Sequence, residues 1–152
     1  MFKKHLFLAL WVVTFVNAFA HEGHDTPGGL PPALNGGVIG EASHKVAHKP
    51  DASEDELFFE VLYTDGNLKV FPLALSPKNL TTFKALPASE LQKVDVKVEF
   101  PRAKKTTTIA VTSTGQAIEG KLDAKSANRF IVHINALHNN EIKIAKIQVE
   151  QR

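Results

Sequence analysis

Leu57-Phe58-Phe59-Glu60-Val61-Leu62-Tyr63, Thr64-Asp65-Gly66-Asn67 and Leu68-Lys69-Val70-Phe71-Pro72-Leu73-Ala74-Leu75 follow one another without a break, and this stretch decides the fold. The two flanking runs are rich in aromatic and β-branched residues, which fit a pleated surface better than a helix. Asp65-Gly66 between them supplies the positive φ that a tight hairpin turn requires. The segment therefore predicts two antiparallel strands joined by a short turn.

The same period extends toward the carboxyl end. Val94, Val96, Val98 and Phe100 alternate with Lys93, Asp95, Lys97 and Glu99, which puts one face in a core and the other in water. Lys105 to Thr112 is β-branched, and Ile118, Gly120 and Leu122 alternate with Ala117, Glu119 and Lys121. Phe130, Val132, Ile134 and Ala136 form a further inward set, which leads through His138-Asn139-Asn140 into Glu141 to Glu150. In that last run the apolar phase changes between Ile142/Ile144 and Ile147/Val149, and a β-bulge near Ala145-Lys146 would account for the slip. Only Ala85 to Leu91 has helical character, enough for a single turn. With Val38-Ile39-Gly40 as a short first strand, about seven or eight strands are expected. Regular turn signals and no sustained helical period predict an all-β chain: an antiparallel, immunoglobulin-like β-sandwich, with a barrel as the alternative.

Toward the amino end the composition changes. Lys3 and Lys4, the apolar run from Leu6 to Val16, and Ala18-Phe19-Ala20 are the basic, hydrophobic and small-x-small parts of an export signal. The apolar run is too short to span a bilayer. Residues 1–20 are thus expected to be removed, residues 21–37 to form a His-, Pro- and Gly-rich tether, and residues 38–152 to form one β domain. Glu41 to Asp55 reads as a polar loop. The destination is the periplasm, with secretion into the medium as the alternative.

The whole chain carries a formal charge of +2, and loss of Lys3 and Lys4 leaves acidic and basic side chains in balance. That argues against a nucleic-acid or anionic-membrane surface. There is no cysteine, and the lone Met and lone Trp lie within the first 20 residues. The exported domain therefore has no disulfide and no soft sulfur ligand, so any metal it holds is bound through nitrogen and oxygen. No Gly-x-Ser-x-Gly elbow, phosphate-binding glycine loop or His-Glu-x-x-His pattern occurs, and no enzymatic activity is expected.

The residues with metal chemistry gather near the expected cleavage point. His21 would carry a free amine beside its imidazole, and Glu22, His24 and Asp25 follow within four residues. Imidazole with carboxylate suits a divalent ion, Cu(II) or Zn(II) foremost. The alternative is a polar terminus that merely suits processing. Glu41, His44 and His48 are spaced by three and four, which would gather them on one face of a helix, where two histidines can share an ion. Lys49-Pro50 and the lack of apolar periodicity favour a solvated loop instead. His133 and His138 read as a surface and a turn histidine.

His21-Glu22-Gly23-His24-Asp25, Asn35-Gly36-Gly37-Val38-Ile39, Phe59-Glu60-Val61-Leu62 and the hairpin into Leu68-Lys69-Val70-Phe71-Pro72-Leu73 resemble small periplasmic proteins and amino-terminal regions associated with heavy-metal efflux adaptors. That resemblance implies periplasmic metal handling beside an efflux or envelope partner. It covers residues 21–80; the chain has neither the heptad hairpin of the adaptors nor their methionine ligands. His21 alone is similar to the amino-terminal copper ligand of CopC-like carriers and copper monooxygenases, whose fold is a β-sandwich. The expected function is divalent-metal binding in metal homeostasis or efflux. The competing reading is an envelope interaction module without a metal role.

Overall fold

A computed structural model describes residues 29–44, 55–124 and 127–151. Its strands are β1 (Val38–Glu41), β2 (Ser43–His44), β3 (Glu56–Thr64), β4 (Asn67–Ser76), β5 (Asn79–Ala85), β6 (Gln92–Phe100), β7 (Lys105–Ile109), β8 (Val111–Thr114), β9 (Ala117–Lys121), β10 (Arg129–His138) and β11 (Glu141–Glu150). They build two antiparallel sheets packed together as the expected β-sandwich. One has the order β1-β3-β4-β9-β8 with β5 also beside β4, and the other the order β2-β11-β10-β6-β7. The helical character near Ala85 to Leu91 is a single 3-10 turn, Ala88–Glu90. Among the described residues no helix is long and apolar enough to cross a membrane.

Turn chemistry sets the two long hairpins. Thr64 pairs with Asn67, and Asp65 and Gly66 between them have φ of 51° and 78°. His138 pairs with Glu141 across Asn139 and Asn140, at φ of 50° and 62°. Two consecutive left-handed residues give the turn whose twist matches that of the strands, and Asn tolerates that region better than most residues.

The strand count exceeds the expected seven or eight for reasons that alternation does not reveal. β2 has only two residues, and β5 is a mostly exposed strand with Phe83 as its buried residue. The β-branched run from Lys105 divides at Ala110, so β7 pairs with β6 in one sheet and β8 with β9 in the other. Residues 38–44 do the same on the opposite side: β1 pairs with β3, β2 with β11, and the buried Ala42 between them donates its N–H to the Leu57 carbonyl at 2.9 Å. Each side of the sandwich is therefore closed by a chain that crosses between sheets.

The bulge expected near Ala145-Lys146 does not form. β10 and β11 pair without a shift from Arg129↔Glu150 to His138↔Glu141. Lys143, Ala145, Ile147 and Val149 are all buried on one parity, while Ile142 and Ile144 take the other. The apparent slip comes from a lysine at an inward position. The true irregularity lies in β6, where Asn135 and Leu137 oppose Asp95 and Gln92 and Lys93 has φ of 48°.

The central core packs Phe59, Val61, Leu68 and Val70 against Val96, Val98, Phe130, Val132, Ile134 and Ile147. Along β3, however, every residue from Leu57 to Val61 is buried. Phe58 belongs to a second cluster with Leu73, Leu75 and Phe83, its ring 5.2 Å from that of Phe83. Since successive strand residues point to opposite faces, β3 is covered on both sides there.

Gly40 marks how closely β1 approaches β11. A Cβ at this position would stand 2.5 Å from Ile147 Cγ1. Gly40→Ala is expected to cost about 1–3 kcal/mol in denaturant unfolding by overpacking, and distinctly less in an Ile147→Ala background, where that atom is absent. Equal costs in both backgrounds would contradict the close approach.

Candidate functional site

Two charged residues are buried among the described residues, Glu60 and Lys143, and both hold the segment that carries the candidate ligands. Glu60 is fully buried on β3. Its Oε1 accepts from the N–H groups of Asn35 at 2.8 Å and Gly37 at 2.7 Å, and its Oε2 from the Leu34 N–H at 3.1 Å and the Asn35 side-chain amide at 3.0 Å. Four donors from one turn replace the water that a buried carboxylate loses, and hydrogen bonds to an ionised acceptor are the strong ones. Glycine is required in this turn. Gly36 has φ of 77°, and a Cβ on Gly37 would lie 2.5 Å from the Val61 carbonyl oxygen. Residues 34–37, the end of the expected tether, are thus laid against the six-stranded sheet.

At the other end of this segment, His44 on β2 pairs in register with Lys143 on β11. Lys143 is only 8% exposed. Its ammonium lies 2.7 Å from Glu141 Oε2 and 3.1 and 3.2 Å from Nδ1 and Nε2 of His44, and His44 Nδ1 lies 3.0 Å from the same Glu141 oxygen. Because the ammonium stands nearly equidistant from the two ring nitrogens, it sits against the imidazole rather than on either lone pair, and the Glu141 oxygen accepts from both Lys143 Nζ and His44 Nδ1. Glu141 and Lys143 border a polar cleft of about 470 Å³, which Glu56, Glu90 and His138 also line together with Leu57, Ala74 and Leu86.

The remaining described histidines each face a carboxylate. His138 Nε2 is 3.6 Å from Glu90 Oε2 in the cleft, and His133 Nε2 is 2.8 Å from Glu99 Oε2 across β10 and β6. Elsewhere, Lys69 and then Thr114 hydrogen-bond the Glu119 carboxyl and hold it below its ordinary value, with Lys121 adding a weaker attraction. A depressed carboxyl stabilises the fold at neutral pH and loses that contribution as pH falls through its folded value; on so exposed a group the contribution is small.

Of the residues singled out from sequence, His21, Glu22, His24, Asp25 and His48 lie outside the described residues. His44 is placed at a sheet edge. The helical juxtaposition of Glu41 and His44 does not form, because the two sit on extended strands in different sheets. No group of three or more His, Asp or Glu residues suited to a metal ion occurs among the described residues. Sequence reasoning passed over Glu60 and Lys143. The available signal was a charge inside an apolar run in one case and at an inward position in the other. No family model, curated protein or solved structure matches the chain.

Glu60→Gln replaces an acceptor oxygen by an amide that cannot accept from the turn. It is expected to cost about 2–4 kcal/mol, one or two buried donors left unmet, and to raise hydrogen exchange either at Asn35 and Gly37 or at Leu34, according to which oxygen the amide replaces. Unchanged protection of all three amides would show that the carboxylate does not hold the turn.

Proposed function

We propose that the protein is a periplasmic divalent-metal-binding accessory of metal homeostasis or efflux, exported by residues 1–20 and not itself a catalyst. In this reading His21 and His24, assisted by Glu22 and Asp25, take up Cu(II) or Zn(II) at the amino terminus left by signal removal. The sandwich is the carrier that brings the ion to an efflux or envelope partner.

The observation that carries the reading is the position of His21: directly after a small-x-small cleavage site, it can offer its amine and its imidazole to one ion, with a second imidazole three residues on. The absence of cysteine, and of methionine beyond Met1, restricts the exported chain to nitrogen and oxygen ligands. The Glu60 clasp adds support. It fixes the chain at Leu34, so a terminus thirteen residues upstream stays within roughly 45 Å of the sheet even when fully extended. A metal-loaded tip is then tethered beside a rigid surface.

A second reading, an envelope interaction module without metal, is favoured by Leu30, Leu34 and Val38. These three are 50%, 47% and 39% exposed along the clasped segment and the edge strand β1. Calorimetric titration of the processed protein separates the two. The metal reading expects one equivalent of Cu(II) or Zn(II) bound at micromolar affinity or better, weakened at least tenfold by His21→Ala with His24→Ala. Absent binding, or equal binding by both forms, would contradict uptake by the tip.

A further inference from the structure

The strap closes its side of the sandwich only in part. β2 pairs with β11 at Lys143 and Ile144 alone, and no other described strand lies beside that edge, which leaves it open from Lys146 to Glu150. The direction of the backbone groups there follows from the ladder. The Gln151 N–H donates to the Asn128 carbonyl at 2.9 Å, one step beyond the Arg129↔Glu150 pair, and in an antiparallel pair the residues that exchange hydrogen bonds alternate with those that do not. Ile147 and Val149 therefore turn their N–H and C=O groups to β10, while Lys146, Gln148 and Glu150 turn theirs outward. An edge of this length is one that natural sheets usually cover or blunt. Apolar surface meets the same opening. Val38 shares the face of β1 on which Gly40 approaches Ile147, and yet it is 39% exposed.

We propose that this edge binds a second copy of the chain, β11 against β11 in antiparallel register about a two-fold axis at Gln148. With that centre Gln148 faces Gln148 of the partner subunit, Lys146 faces Glu150 of the partner subunit, and Glu150 faces the partner's Lys146. All three positions turn their backbone groups outward, so each facing pair exchanges two hydrogen bonds. Shifting the axis to Ile147 or Val149 keeps only two such pairs and sets neither Lys146 nor Glu150 opposite the other. Opposite charges directly across a sheet attract, and like charges repel. Lys146 and Glu150 are exposed on the wet face of β11. Glu150 draws the Gln148 amide to Oε1 at 3.2 Å, and its Oε2 remains for the lysine. On the other face Ile147 meets Val149 of the partner subunit. The axis is perpendicular to the joined sheet, so both β1 strands flank the seam on the same side and Val38 lies beside it. A foreign strand finds the same backbone groups, but the match of Lys146 to Glu150 is a property of this chain facing itself. A seam this short is below the size of a permanent interface, so the pairing is reversible. It does not depend on the metal-handling reading.

The test is analytical sedimentation of the processed, metal-free protein from about 10 µM to about 1 mM, with hydrogen exchange of the β11 amides at both ends of that range. A reversible dimer is expected, and the amides of Lys146, Gln148 and Glu150 become protected as it forms. Glu150→Lys sets lysine opposite lysine twice in each dimer and is expected to weaken association about tenfold or more; Lys146→Glu, which sets glutamate opposite glutamate, does the same. The double variant Lys146→Glu, Glu150→Lys restores opposite charges across the seam and is expected to return within about threefold of the original affinity. Gln148→Pro removes the central outward donor without touching the bonds to β10 and is expected to give a folded monomer. Denaturant unfolding confirms that each variant is folded, and if Gln148→Pro is not, the surface charge variants decide. A monomer at every concentration, association indifferent to the single reversals, or a double variant no better than the singles would overturn the proposal. Equal protection of the three amides at both concentrations overturns it as well, since the edge is then covered from within the chain.

Discussion

A carboxylate without access to water is costly unless every lone pair finds a donor, and the Glu60 side chain meets that condition through a single turn of chain 23 to 26 residues away in sequence. The consequence reaches beyond the turn. With residues 34–37 fixed on one face of β3 and Phe58, Leu73, Leu75 and Phe83 clustered there, β3 is buried on both sides at its centre. The chain leaving the turn then has a defined direction. It pairs as β1 with β3, passes Ile147 at Gly40, crosses between the sheets at Ala42 and ends as β2 beside β11. The strap supplies the edge strand of each sheet on this side, and at four and two residues these strands leave little open backbone of their own for pairing with other chains.

The proposed metal ligands lie in or next to this strap in the sequence. His21, His24, His44 and His48 all lie within residues 21–48, before the long strands begin. Its described part is held at one end by Glu60 and at the other by the contacts among His44, Glu141 and Lys143. The two buried charges of the described fold therefore serve the same segment from opposite ends. A scaffold of this kind separates tasks. The apolar core between the sheets supplies stability, and the charged groups determine where residues 34–44 lie.

How much of this was legible in the sequence depends on the kind of information each feature needs. Period-two alternation around Val94 to Phe100 and the Asp65-Gly66 turn are local, and they gave the sandwich directly. The crossings at Ala42 and Ala110 are not local. An alternating run continues through them, and only pairing with distant strands shows that the sheet has changed. Lys143 misled for a related reason. An inward lysine is rare enough that a bulge near Ala145 looked simpler, although the hydrogen-bonded register runs straight through. Glu60 is hardest to see, since its partners are backbone N–H groups, which leave no signature in a side-chain pattern beyond Asn35-Gly36-Gly37. Of the candidate site, His44 could be named from sequence. The contact that gives it chemical meaning, with residues about 99 positions away, could not.

The most direct test of the metal-handling account is to map where Cu(II) goes. Substoichiometric Cu(II) added to isotopically labelled processed protein broadens the resonances nearest the paramagnetic ion first. The account expects loss of the signals from His21 to Asp25 at the lowest additions. Uniform slight broadening, or losses that begin at His133 or His138, would contradict it.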